Sequence, residues 1–71
     1  MEKNDKKPVW HINIHQDSSN ILFANNIPSM EMAVKIALSV HEISNTTHVI
    51  YVMKDDLIEV TFTRYETQTN V

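Results

Sequence analysis

Residues 28–45 carry the one long helical pattern of the chain, and its apolar face is too wide for a single small sheet to cover. Pro28 keeps a helix from starting earlier, and the Ser29 hydroxyl can accept from an amide of the first turn. Glu31 lies where the positive end of the helix dipole favours a carboxylate. Met32 holds the place where a capping box would want Glu or Gln, so that box is absent. Ser44, Asn45, Thr46 and Thr47 then break the periodicity, and Asn45 can take the left-handed conformation that glycine usually supplies. The helix is predicted to stop near Ile43 or Ser44.

At about 100° per residue, Glu31, Lys35, Ser39 and Glu42 share one narrow polar stripe. Met30, Ala33, Val34, Ala37, Leu38 and His41 form one apolar flank, and Met32, Ile36, Val40 and Ile43 form another. Together the flanks span roughly 240° of the wheel, whereas a surface helix needs little more than ~100° to sit on its own core. Something else is expected to cover the excess.

Strands surround this helix. From Val9 to His15 the alternation is strict, with Trp10, Ile12 and Ile14 on one side and His11, Asn13 and His15 on the other. A turn cluster at 16–19, with Asn20 suited to a positive φ, leads into a second apolar run at 21–24. Within that run Ile21 and Phe23 are predicted to face the core. After the helix, residues 48–54 and 57–65 read as strands around a turn at Asp55 and Asp56. An even-length loop there predicts Val49, Tyr51 and Met53 on one face with Ile58, Val60 and Phe62, which leaves Ile50, Val52 and Leu57 on the other.

The predicted fold class is α+β, a ββαββ chain with a small antiparallel sheet and one helix packed on one face. One domain is expected at 8–65, between flexible tails at 1–7 and 66–71. A body this small buries roughly 3,400 Å² of apolar area. That is worth ~85 kcal/mol, against ~85 kcal/mol of ordering entropy. Domains without a surplus use disulfides, metals or oligomerisation, and this chain has no cysteine. It has no glycine either, so Asn, Asp and Ser must make the turns. That usage, with abundant Asn, Ile and Lys, fits an AT-rich genome such as that of a low-GC bacterium, its phage or another mobile element.

The start of the chain has no apolar leader segment, and no apolar run approaches the length of a membrane span, so a cytoplasmic protein without membrane contact is expected. His11 and His15 cannot clamp one ion, because positions i and i+4 of a strand are about 13 Å apart. His41 and His48 could meet a third ligand, but no ligand motif accompanies them. His41 is expected near the core or an interface, which makes it a candidate for a pH-dependent contact. Asp55 and Asp56 read as turn chemistry and Glu59 as a solvent-facing strand residue. With no nucleophile, oxyanion hole or phosphate loop beside them, neither catalysis nor a cofactor or metal is expected.

The formal charge of −3 and the scatter of Lys3, Lys6, Lys7, Lys35, Lys54 and Arg64 make nucleic-acid regulation the secondary reading. The leading expectation is a non-enzymatic homodimer that binds another protein as an inhibitor, adaptor or regulatory subunit. Its interface is expected on the helix flank of Met32, Ile36, Val40 and Ile43, or on a sheet face bearing Ile50, Val52 and Leu57.

Overall fold

The computed structural model describes residues 8–65, and the tails expected at 1–7 and 66–71 lie outside them. The elements are β1 (Trp10–Gln16), β2 (Ser19–Ile27), α1 (Met30–Ile43), β3 (His48–Lys54) and β4 (Leu57–Arg64). All four strands join one antiparallel sheet in the order β2-β1-β3-β4, with α1 packed across one face, which is the ββαββ arrangement read from the sequence.

Turn chemistry without glycine is carried by Asp17 (φ 54°), Ser18 (φ 65°), Asn26 (φ 55°) and Asp55 (φ 56°). Asp17 and Ser18 close the first hairpin, while Asn20 enters β2 as its second residue rather than taking the positive φ. Ser29 caps α1 as its side chain suggested, its Oγ accepting from the Met32 amide at 3.1 Å. The far end differs from expectation: Asn45 is not left-handed. The helix stops because Ser44 turns extended, while the Ser44 amide still donates to the Val40 carbonyl at 3.0 Å.

Ala33 and Ala37 sit one turn apart at the centre of the helix–sheet contact and are fully buried. With no atoms beyond Cβ they let the helix backbone come close, and Ile12, Ile14, Ile27, Ile50 and Val52 fill the space beneath. The register of the two central strands sets Ile12 against Val52 and Ile14 against Ile50. Ile50 and Val52 therefore lie under the helix, and Val49, Tyr51 and Met53 point to the opposite, outer face.

Two irregularities reverse faces that simple alternation assigned otherwise. Met53 pairs with Ile58 and Val52 with Val60, so Glu59 is an extra residue in β4. The two-residue turn keeps Ile58 on the face of Met53, as expected, but beyond the bulge Val60 and Phe62 turn toward the helix instead of joining Val49 and Tyr51. In β2, Asn13 pairs with Leu22 and Ile12 with Ala24, which makes Phe23 the extra residue. Phe23 is exposed rather than core-facing, and Ile21 lies on the helix side but at the sheet edge. Trp10 pairs with Ile27, so Asn25 and Asn26 together oppose His11 in a further bulge.

These faces change the expected interface set. Ile50 and Val52 are fully buried and are not open to a partner. Ile36 and Val40 pack against the core, because the helix is rolled onto Ala33 and Ala37 with that flank beside them. Met32 and Ile43 remain exposed, Ile43 by 80%, and Leu57 is 65% exposed at the Asp55 turn.

Candidate protein-interaction surface

The outer sheet face is built from the odd-numbered residues of β1 and β3 together with the residues that oppose them. Pairing across the sheet brings Asn20 and Leu22, then His11, Asn13 and His15, then Val49, Tyr51 and Met53, then Ile58, Thr61 and Thr63 onto one surface. Leu22 and Ile58, on opposite edge strands, are each 55% exposed, while Val49, Tyr51 and Met53 are half-buried among their neighbours. Asn13 Nδ2 donates to Met53 Sδ at 3.3 Å, which satisfies a polar group in the centre of the face. None of these positions holds Lys, Arg, Asp or Glu. Beside them the Asn25–Asn26 bulge opens a groove of about 400 Å³ between β1 and β2, floored by Asn13 and Leu22.

A second cluster joins the end of α1 to β3 and β4 on the helix side. His48 is buried, and its Nε2 lies 2.9 Å from Nδ1 of His41 with the rings edge to face. His41 also stacks against Phe62 at 5.6 Å, and Arg64 Nη2 donates to the His41 carbonyl at 2.9 Å. Burial holds the His48 pKa below its ordinary 6.5; a bond to the backbone of Thr46 partly opposes this, and the nearby His41 and Arg64 reinforce it. With the Thr46 backbone accepting one ring proton, the Nε2 of neutral His48 is left as the acceptor for His41. Among the described residues no third His, Cys, Asp or Glu joins the pair, and the Arg64 guanidinium is the neighbour instead. His41 lies near the core as expected, while the burial of His48 was not legible from its place at the start of a strand.

Glu59 is exposed, as expected, and also has a partner. As the bulge residue of β4 it accepts a hydrogen bond from Trp10 Nε1 at 3.2 Å, and Lys54 Nζ lies 5.7 Å over the Trp10 ring. Asp55 and Asp56 form the turn that their types suggested. His11 and His15 stand on the outer face, and Lys3, Lys6 and Lys7 fall outside the described residues. The apolar residues of the outer face were legible as a stripe, but alternation alone placed that stripe in the core.

No protein-family model matches this chain, and neither a curated protein nor a solved structure does so.

Proposed function

We propose that the chain is a non-enzymatic, homodimeric protein-binding module of the cytoplasm, working as an inhibitor, adaptor or regulatory subunit through its outer sheet face. The observation that carries the reading is that face itself: after α1 has covered one side of the sheet, the other presents Leu22, Val49, Tyr51, Met53 and Ile58 with no formal charge among them. Four strands at ~4.8 Å spacing and seven residues at ~3.3 Å rise give it about 450 Å². Patches of that size on small proteins are commonly functional. A surface without Lys or Arg has little to offer a phosphate backbone, and its Asn, Thr and His residues can hydrogen-bond to an uncharged protein surface.

Two measurements test this. Sedimentation across a concentration series should give a dimer at low micromolar concentration; a monomer throughout would overturn the homodimer. In a nuclease-treated lysate of the cells that encode it, the wild-type chain should retain a protein at moderate salt that Tyr51→Glu loses. Equal retention by the two baits would overturn the role of the outer face, and salt-sensitive recovery of nucleic acid without nuclease would favour the regulator reading.

A further inference from the structure

We infer that the homodimer forms by antiparallel pairing of β4 with β4 of a second copy, centred on Thr61, which makes one continuous eight-stranded sheet. This rests on the proposal that the chain self-associates and names the surface that does it. Among the described residues the sheet has two open edges, and they differ. Edge strands are ordinarily protected from pairing by bulges, prolines or outward charges. The β2 edge is blunted twice, at Phe23 and at Asn25 with Asn26, where Asn26 takes a positive φ. From Val60 to Arg64 the β4 edge has no bulge and no proline.

Nor does β4 present an outward charge along that stretch. Its two charged residues are Glu59 and Arg64, and both are drawn inward over the sheet. Glu59 reaches across β3 to the Trp10 indole, and Arg64 turns back to the His41 carbonyl at the negative end of the helix. What remains along the edge is Val60, Thr61, Phe62 and Thr63.

The occupant follows from self-complementarity. Residues directly opposite in an antiparallel pair share a face, so a two-fold axis must pass through a residue. With the axis at Thr61, Val60 meets Phe62 of the second copy, and the reciprocal pair repeats it. Both contacts lie on the helix side, where Val60 and Phe62 are only half-buried in one chain. On the outer face Thr61 meets its own copy with no like charges opposed, and Glu59, held to Trp10 on the helix side, puts no charge opposite Thr63. An axis at Phe62 would instead set Val60 against Arg64. His41 stacks on Phe62, so the flank of α1 that holds Val34 and Leu38 is the one facing β4. Two helices centred near β3 would lie about 14 Å apart, three strand spacings, with Leu38 and Phe62 of each copy between them.

The pairing is read by dimer dissociation constants from sedimentation for wild type, Thr61→Lys and Thr63→Lys, with far-UV spectra as the check on folding. Thr61→Lys brings two ammonium groups face to face at the axis and should weaken the dimer at least tenfold. Thr63→Lys lies off the axis with no cation opposite it and should leave the dimer unchanged. Equal weakening by both substitutions would overturn the β4 pairing, because both positions lie on the outer face and a face-to-face dimer feels them alike. A dimer indifferent to Thr61→Lys would overturn it too, while leaving self-association intact. A wild-type monomer at every concentration would remove both proposals. Should Thr61→Lys fail to fold, Thr61→Glu carries the same like-charge opposition and is read in its place.

Discussion

Ile50 and Leu57 share a face, as expected, because Leu57 pairs with Lys54 ahead of the Glu59 bulge. That face is the one beneath α1, which covers Ile50 and leaves Leu57 open at the hairpin end. Ile50 is fully buried beneath α1 and pairs with Ile14 and Phe62, whereas Leu57 is 65% exposed. Ile50→Ala removes three carbons, worth about 2.4 kcal/mol of transfer free energy at ~0.8 kcal/mol each. The residual cavity adds about 1–2 kcal/mol, because the rigid helix–sheet contact at Ala33 and Ala37 leaves little room for collapse. The total is about 4 kcal/mol. A domain of this size holds roughly 3–9 kcal/mol in all, so the variant should be close to unfolding. At about 4–8 °C per kcal/mol the melting temperature should fall by roughly 15–30 °C. Leu57→Ala, which loses little buried area, should cost under about 0.5 kcal/mol. Thermal melts at one fixed protein concentration, followed by far-UV circular dichroism and by the fluorescence of Trp10, the only tryptophan, measure both. Comparable losses from the two substitutions, or a neutral Ile50→Ala, would refute the placement of Ile50 beneath the helix.

The buried His48 should make stability pH-dependent in one direction. Its folded pKa lies below 6.5, so the unfolded chain takes up the proton first as pH falls, and stability is lost from about 6.5 down toward the lowered value. Above that window the contribution is flat. Urea midpoints at about pH 7.5 and 5.5 should show the drop, and His48→Gln should shrink it; an unaltered drop would assign the effect to other groups. Ser29→Ala removes the acceptor of the Met32 amide and should cost about 1 kcal/mol in chemical denaturation, with Ser29→Asp nearly neutral. Equal losses from Ala and Asp would show that the cap is not what Ser29 contributes.

Features that depend on a few neighbouring residues were legible. The start of α1 followed from Pro28 and Ser29, its end from the loss of periodicity after Ile43, and both hairpin turns from Asp, Ser and Asn clusters. The alternation of β1 was read correctly because β1, like β3, carries no extra residue of its own. The candidate surface was legible only as a set of apolar residues. Alternation by itself puts Val49, Tyr51 and Met53 in the core and Ile50 and Val52 on a free face. Both faces of β3 are apolar, so its own pattern cannot choose between them; the partner strand β1 chooses, by setting Ile12 and Ile14 beside Val52 and Ile50.

Local chemistry in the sequence by itself determined the order of elements, the helix limits, the turn positions and the presence of more apolar surface than one small body can bury. Propensity, capping and short-range periodicity act over a few residues, and each can be read without knowing what lies across the sheet. Tertiary structure decided which apolar residues are left outside. The extra residues Phe23 and Glu59 shift strand parity by one, and such a bulge forms only because it lets distant groups pack: Val60 and Phe62 against the helix, and Glu59 against Trp10. A single residue of register turns a whole face over. The open surface is therefore a property of pairing between residues as far apart in the chain as Trp10 and Lys54.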